Sequence, residues 1–425
     1  MIQMKPAHSG SSRLLINHDL YVSKTGESAD LRPNGSRVPI VGGASASSSE
    51  QPSDATANLH HKFKRATSNL SNYKAEKTGF IRGSKPIGSP QSYIGLEVLD
   101  RLLENKYNVT ALVRREAAAR DLEKMGVKPV MGSLEDSETI QRQTAKSDIV
   151  FHTATADDIS SVKAVIAGIE ERASQDLHTI YIHTSGCTFL CDDSGGEYAS
   201  DMVYSDTKPE DLDARPDSSS HREIDLAIIS ARKSLGTKAK LFIMLPPLIY
   251  GATHHNRLSI QVITMARFAI ANQYAGHVGK GKSLWGLIHV NDLSYGYLTI
   301  LQWLEQAPPE AALEHPYFFC ENGKETSWRD AAGIIGAELT AAGKLSDPAP
   351  REIPKDQYAA LFGPYSMVVL GQNARNRADR LRKLGWEAKH YDVRQAFREE
   401  ELPLLLKEDL SGYSGYDKPA ASGSG

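Results

Sequence analysis

The sequence has few cysteines, and they show no pattern that indicates a metal site. Three cysteines, Cys187, Cys191 and Cys320, occur among 425 residues, a number too small and too odd for a disulfide framework and typical of a reducing compartment. The spacing of Cys187 and Cys191 matches none of the usual zinc signatures. We therefore expect a cytoplasmic protein whose thiols pack as small apolar groups.

Long apolar runs and an excess of positive charge are also missing. The longest apolar run, residues 241–250, contains two prolines and is far shorter than a bilayer span. The 49 lysines and arginines are outnumbered by 52 acidic residues, so the chain lacks the basic surface that nucleic acid requires. These absences predict no membrane and no nucleic acid as partner, favour a small-molecule substrate, and leave the oligomeric state unspecified.

The two ends of the chain differ in composition from the middle. Residues 1–77 show no sustained hydrophobic period and include a run rich in Ser, Ala and Gly over 42–53, while residues 411–425 are rich in Ser and Gly. Such stretches bury too little apolar surface to offset the entropy of ordering. We predict a disordered extension over 1–77 and a disordered tail over 411–425.

Between the ends, short apolar runs alternate with segments of helical period. The predicted strands cover 108–112, 127–131, 148–153, 179–184 and 240–245, and the predicted helices cover 94–103, 116–125, 137–145, 159–173 and 221–235. Strands separated by single helices form right-handed crossover units. The pattern predicts an α/β fold with a doubly wound parallel sheet.

After Pro246 the alternation loosens, which predicts a second, smaller domain. We assign 78–250 to the sheet domain, completed by about 287–306, and assign 251–286 and 307–410 to a small mixed α/β domain that binds substrate. Ligands of such sheets bind at the carboxyl ends of the strands. The sequence therefore predicts a cleft there, lined in part by 251–287 and 351–366.

Four motifs in order resemble one superfamily. They are Tyr93-Ile94-Gly95 with the helix after it, 108–115 ending Leu-Val-Arg-Arg, Gly279-Lys280-Gly281 with Trp285 and 289–293, and 373–378 with 384–386. From Ser92 to about Leu405 the chain resembles atypical and extended short-chain dehydrogenases/reductases of the NAD-dependent epimerase/dehydratase type. The resemblance implies a Rossmann-type NAD(P)-binding domain.

The phosphate-binding turn departs from this family. Such a turn places small residues before a helix whose free amides bind the pyrophosphate. Counting back from Gly95 by threes gives Ser92 and Ser89 where the family has glycines, with Pro90 between them. Two explanations stay open: cofactor affinity is lost, or the N-terminal part is joined wrongly to the domain.

The resemblance also implies which residues hold the cofactor. Arg114 and Arg115 close the second strand, where arginine accommodates the 2′-phosphate of NADP and an acid binds the ribose of NAD. They favour NADP over NAD, although two solvated arginines at a strand end are the alternative. The other expected cofactor residues are Ser92, Tyr93, Ile94, Gly95, Ser133, Leu134, Thr153, Ala154 and Pro246.

The expected catalytic residues begin with Ser185. The superfamily pairs a Ser or Thr after the fifth strand with Tyr-x-x-x-Lys on the next helix, so that a phenol protonates the carbonyl, and Ser185 fits the first role. Tyr204 and Lys208 match the second as letters, but Pro209 directly follows and disfavours a helix there. Tyr204 stays a candidate from a loop, as does Tyr250.

The helix that leads to the sixth strand begins later, at a predicted capping box of Ser220 and Glu223. Its first turn carries His221 and Asp225 in place of the Tyr/Lys pair. His221 is our candidate acid for a carbonyl oxygen, oriented by Asp225 or by the ribose; the alternative is a surface histidine at a helix start. His254 and His255 lack a third ligand at a suitable spacing, so no metal is predicted.

Taken together, the residues and the resemblance predict an NADP-dependent oxidoreductase acting on a small carbonyl or hydroxyl compound. Two alternatives remain. One is a non-catalytic NAD(P)-binding regulator, since some proteins of this fold lack the catalytic pair. The other is an epimerase-like enzyme acting on a nucleotide sugar.

Overall fold

The computed structural model describes the strand Tyr21–Ser23 and residues 93–416. The predicted extension over 1–77, apart from that strand, lies outside the described residues. So do Ser89 and Ser92 of the expected phosphate-binding turn and the last part of the predicted tail, residues 417–425.

Strands and helices alternate through the first half of the described chain. The strands are β1 Tyr21–Ser23, β2 Thr110–Val113, β3 Lys128–Met131, β4 Ile149–His152, β5 Thr179–Thr184, β6 Tyr204–Ser205, β7 Ala239–Leu245, β8 Leu248–Tyr250, β9 Gly276–His277, β10 Leu284–His289, β11 Tyr317–Phe319, β12 Glu325–Ser327, β13 Arg351–Glu352 and β14 Asn376–Arg377. The helices are α1 Tyr93–Glu104, α2 Glu116–Lys124, α3 Ser137–Thr144, α4 Ile159–Ser174, α5 Pro209–Asp213, α6 Arg222–Leu235, α7 Gln261–Asn272, α8 Val290–Gln306, α9 Trp328–Ala341, α10 Ser366–Gly371, α11 Asp379–Lys383, α12 Val393–Ala396 and α13 Leu402–Leu405.

The central sheet has the order β1-β4-β5-β7-β11. Strands β4, β5, β7 and β11 run parallel, and β2 and β3 form a parallel pair of their own. Apolar residues fill β5 and β7, and Tyr181, Leu241 and Ile243 are completely buried between helices, as expected for a parallel sheet covered on both faces. The predicted doubly wound α/β fold is confirmed.

The strand beside β4 is one that the sequence analysis did not predict. Tyr21 pairs with His152 and Ser23 with Val150, so β1 runs antiparallel to β4, and it also lies beside β2. An unpaired strand edge exposes a row of backbone donors and acceptors. A short segment from the region predicted to be disordered therefore covers this edge of β4.

Helix α6 begins differently from the prediction. The helix starts at Arg222, and His221 precedes it with a left-handed backbone, φ 66°, and without a side-chain cap. The predicted capping box of Ser220 and Glu223 therefore does not form. A left-handed conformation is costly for a residue other than Gly, and such strain is characteristic of functional positions.

The elements after β7 pack on the same core. Strands β8, β10 and β12 form a small sheet, and residues 93–416 belong to one compact unit. The folded chain also continues past residue 411, where the disordered tail was predicted to start. The Tyr413 hydroxyl lies within hydrogen-bond distance of the carbonyls of Thr264 and Ala360, and the Tyr416 amide donates a hydrogen bond to Leu361.

Candidate active site

A pocket opens at the carboxyl ends of the parallel strands. Its floor comes from residues that directly follow β4, β5 and β7, and its volume is about 240 Å³. The lining includes Ala154 after β4, Ser185 after β5, Pro246 after β7 and His221 before α6. Ser185 and His221, the two leading catalytic candidates, are thus brought into one cavity.

His221 is held by an acid that the sequence analysis did not name. Its Nδ1 lies 2.7 Å from Oδ1 of Asp157, in the loop after β4. A Cβ at Gly186 would lie 3.5 Å from Nε2 of His221, which places that nitrogen beside the residue after Ser185. Burial lowers the pKa of His221, but the charge and hydrogen bond of Asp157 outweigh it, so the pKa is raised above its ordinary value. The expected orientation of His221 by Asp225 is not observed.

Asp225 instead holds Ser185. The Ser185 hydroxyl lies 3.2 Å from Oδ2 of Asp225, which is completely buried. Burial raises the pKa of Asp225 to about 7, against the opposing influence of His221 and of the Ser185 hydroxyl. A neutral Asp225 is a donor toward Ser185 and frees the serine hydrogen for a ligand, whereas an ionised Asp225 accepts that hydrogen.

A second pair of histidines lies in the sheet beneath the pocket. The register of β4 and β5 sets His152 opposite His183, with their Nδ1 atoms 3.0 Å apart and their rings stacked. Burial lowers the pKa of His152 to about 4 and lowers that of His183 as well. Both imidazoles are therefore neutral at physiological pH.

Five of the expected cofactor residues line the pocket and five others do not. Tyr93, Ile94, Thr153, Ala154 and Pro246 face it. The residues that do not line it are Gly95, Arg114, Arg115, Ser133 and Leu134. Gly95 and Leu134 are buried in the core, Arg114 is exposed at the end of β2, and Ser133 accepts a hydrogen bond from the Glu135 amide.

The phenols proposed from the sequence lie outside the pocket. The Tyr204 side chain is buried, and its hydroxyl accepts a hydrogen bond from Arg215; Lys208 only precedes α5, so the two residues do not share a helix face. The Tyr250 hydroxyl donates a hydrogen bond to the carbonyl of His390. Neither phenol lines the pocket that contains Ser185 and His221.

The loop after β8 ties His254 and His255 to α1. Nδ1 of His254 lies 2.9 Å from Glu97, and Nε2 of His255 lies 2.9 Å from Asp100. The fold thus supplies acids that sequence spacing did not, and Glu97, Asp100 and His254 each place a ligand atom within 4.8 Å of the others. Because the acids are engaged by the imidazole nitrogens, we interpret these groups as ion pairs that fasten the loop to α1.

The sequence profile of a family described as NAD(P)H-binding matches residues 91–204. The match spans α1 to β6, which includes every strand end on the cofactor side of the pocket except that of β7. Residues 91–204 therefore match an NAD(P)H-binding domain. Fold, pocket position and family match therefore agree with the resemblance that the four motifs carried.

Individual proteins match different shares of the chain. Oxidase ucsJ from Acremonium sp. is 28% identical over 320 residues, which is 69% of this chain and 90% of that protein. A 4-hydroxy-2-methyl-3-oxo-4-farnesyl-3,4-dihydroquinoline-1-oxide ketoreductase from Stigmatella aurantiaca is 35% identical over 83 residues, 18% of this chain and 25% of that protein. The dTDP-glucose 4,6-dehydratase of Bacillus anthracis, solved with NAD, superposes with a TM-score of 0.52 at 11% identity, covering 75% of this chain and 95% of that chain; this last likeness shows the fold.

The residues present fit a nicotinamide dinucleotide of this superfamily at the inner end of the pocket. The first residues of α1, where free helical amides attract phosphate, share the cavity with Thr153 and Ala154 after β4. Oδ2 of Asp157 and Oγ1 of Thr188 are buried there without a hydrogen-bond partner among the described residues. Buried polar atoms of this kind are normally satisfied by a ligand or by water.

Asp157 and Tyr416 line the pocket but were not predicted from the sequence. Asp157 carries no motif, and its only signal is its position in the loop after a buried strand, where ligands of such folds bind. Tyr416 lies in the predicted tail, yet its ring packs on Phe362 with centroids 5.1 Å apart.

Along the described residues, no helix combines the length and the apolar character needed to cross a bilayer.

Proposed function

We propose that the protein is an NADP-dependent oxidoreductase that reduces a carbonyl compound, or oxidises the corresponding alcohol, in this pocket. The observation that carries the proposal is the pair His221–Asp157 beside the pair Ser185–Asp225. The ketoreductase printed in the name of one relative and the oxidase in the name of another support a redox reaction.

His221 takes the part of the missing Tyr/Lys pair. The contact with Asp157 raises its pKa and so favours the imidazolium, and Nε2, beside Gly186, is the atom that gives its proton to the carbonyl oxygen. When bound, NADPH supplies the hydride that becomes bonded to the carbonyl carbon and leaves as NADP⁺. The opposite reaction requires His221 to accept the alcohol proton as a neutral base.

The wall behind His221 offers a route by which its proton is replaced. Asp157 and His221 line the apolar pocket on one side and a second, polar opening on the other, together with Asp217 and Glu223. Nε2 of His221 therefore faces the substrate side. Nδ1 contacts Asp157, which also borders the second opening. A proton from water reaches Asp157 without entering the substrate cavity.

Ser185 holds the carbonyl oxygen. Below about pH 7 a neutral Asp225 satisfies the lone pair of Ser185, which leaves the serine hydrogen for the substrate. At higher pH the ionised Asp225 retains that hydrogen instead. Both groups therefore favour carbonyl reduction at lower pH and alcohol oxidation at higher pH.

The preference for NADP rests on Arg114 and Arg115. They follow β2, where the 2′-phosphate of a bound NADPH would lie in this superfamily, and a guanidinium forms strong paired hydrogen bonds with phosphate. We expect Arg115→Ala to weaken NADPH binding about tenfold and to leave NADH binding unchanged. Arg120→Ala, on the exposed face of α2, is the matched control and is expected to bind both cofactors normally.

The proposed function is tested with the purified full chain. We expect fluorescence titration to show NADPH binding, and absorbance to show NADPH oxidation with at least one ketone of a broad panel. NADPH binding without turnover of any ketone or alcohol would favour the non-catalytic regulator. Absence of NADPH and NADH binding would contradict the proposal altogether.

A further inference from the structure

We propose that the substrate of this pocket is a neutral, mainly hydrocarbon carbonyl compound, and that anionic compounds such as nucleotide sugars are excluded. This inference rests on the proposed function for the reacting group and goes beyond it in naming the substrate class. It is carried by the composition of the pocket wall, in which apolar and aromatic side chains surround a single ionisable pair, and by the elements that close its outer end.

The described part of the wall contains no cation that would bind a phosphate or a carboxylate. Among the described residues, no lysine or arginine lines the cavity, and its charged groups are Asp157 and His221. Arg215 lies against the segment after Ser185, but it donates to the carbonyls of Phe189 and Cys191 and to the Tyr204 hydroxyl. A substrate diphosphate in the apolar part of this cavity, away from the start of α1, would have no cation to pair with, which is strongly unfavourable.

The outer half of the pocket is a continuous apolar surface. Ile249 belongs to β8, Ile260 precedes α7, Trp285 belongs to β10, and Phe362, Val368 and Val369 come from the segment around α10. The Trp285 indole donates its N–H to the carbonyl of Gln372, so its ring faces the cavity with its polar atom already satisfied. An apolar ligand gains the free energy of burial against this surface.

The segment that contains Tyr413 and Tyr416 closes this apolar surface. Tyr416 lines the pocket and packs on Phe362, and its amide donates to Leu361. The neighbouring Tyr413 is anchored to Thr264 and Ala360. The segment therefore forms a wall of the substrate site, rather than a tail beside it.

The inference is tested by binding to the full chain, measured by calorimetry with and without NADP⁺. The probes are 2-decalone, decalin-2-carboxylate, which has a similar shape and one negative charge, and UDP-glucose. We expect 2-decalone to bind, decalin-2-carboxylate to bind at least about tenfold more weakly, and UDP-glucose not to bind. Absence of 2-decalone binding, or tighter binding of either anion, would overturn the inference.

Val368→Lys puts a cation on the apolar wall. Val368 is half-buried and faces the cavity, so the longer side chain is accommodated with its ammonium group in the pocket. We expect 2-decalone binding to weaken about tenfold and the preference over decalin-2-carboxylate to be lost or reversed. Leu313→Lys, at a position 62% exposed and outside the pocket, is the matched control and is expected to bind like the natural chain.

Tyr416→Ala tests the wall by a different route. Removal of the ring is expected to weaken 2-decalone binding about tenfold, while NADPH affinity is unchanged because the cofactor residues lie at the other end of the pocket. Unchanged 2-decalone binding in this variant would contradict a role of the segment as a wall.

Failure of the inference and failure of the proposed function give different results. Binding of 2-decalone without NADPH oxidation for any ketone would overturn the oxidoreductase and retain the apolar site. NADPH oxidation that occurs with anionic carbonyl compounds and not with neutral ones would retain the oxidoreductase and overturn the apolar site.

Discussion

Two pairs of buried groups that contain histidine lie close together in this protein. The pKa of histidine is raised in one pair and lowered in the other. In the pocket, His221 contacts Asp157, and its pKa is raised in spite of burial. In the sheet below, His152 contacts His183, and burial lowers the pKa of both. Burial is common to both regions, so the neighbouring carboxylate accounts for the difference.

The contact between Asp157 and His221 shows how this fold favours a protonated imidazole where the Tyr/Lys pair is missing. An imidazole in an apolar site is a neutral, inert group unless an ionised acid is held against it. The loop after β4 supplies that acid, and the left-handed backbone at His221 turns its ring toward the loop. The histidines of β4 and β5 instead contact each other, and burial dominates their pKa shifts.

The largest effect is expected from removing the imidazole of the pocket. His221→Gln keeps a polar side chain but provides no acid, so we expect the rate of ketone reduction to fall about 10²- to 10³-fold, with NADPH affinity unchanged. Stopped-flow measurement of NADPH oxidation gives the rate. His178→Gln, at an exposed position, is the control, and a His221→Gln enzyme with the normal rate would contradict the assigned role.

A smaller effect is expected from removing the acid that distinguishes the two pairs. In Asp157→Asn the opposing charge is lost while burial remains, so the pKa of His221 falls. We expect reduction at neutral pH to slow about tenfold. The decline of the reduction rate with rising pH is expected to begin at lower pH than in the natural chain. Identical pH profiles of the two enzymes would contradict the role of Asp157 in raising the pKa of His221.

The smallest effect on activity is expected in the core pair. His152→Leu leaves Ser161 with its hydrogen bond to the Asp158 carbonyl and His183 with its contact to Tyr181, so the reduction rate stays within about twofold. Stability responds instead. Because the folded state holds His152 at a pKa of about 4, its stabilising contribution is present above pH 6.5 and is lost as pH falls toward 4.

We therefore expect urea unfolding to show that the natural chain loses about 3 kcal/mol more than His152→Leu between pH 7 and pH 4. An equal loss of unfolding free energy in both proteins would mean that His152 takes up its proton in the folded state as readily as in the unfolded one.

The sheet was largely predictable and the site only in part. Runs of β-branched residues with a helix between each pair leave few alternatives, and five predicted strands have counterparts in β2, β3, β4, β5 and β7. Ser185 and His221 were found because their places follow from the order of the strands. The three-residue β1 has no local signal, since its pairing with β4 is a tertiary contact.

The partners of the catalytic candidates were not predictable. Asp157 and His221 are separated by 64 residues, and their contact depends on the loop after β4 and on the left-handed residue before α6. Helical spacing instead favoured Asp225 as the partner of His221, because the two are four residues apart. The chain turns into α6 at His221 itself, so the ring points toward Asp157 and Asp225 faces Ser185.

The account is tested most directly by nuclear magnetic resonance titration of the histidines, labelled at Cε1 and assigned with His221→Gln and His152→Leu. We expect His221 to titrate with a pKa above 6.5, and His152 and His183 to remain neutral throughout the range in which it does so. A pKa of His221 below 6.5, in line with the core pair, would show that Asp157 does not maintain the imidazolium and would contradict the account.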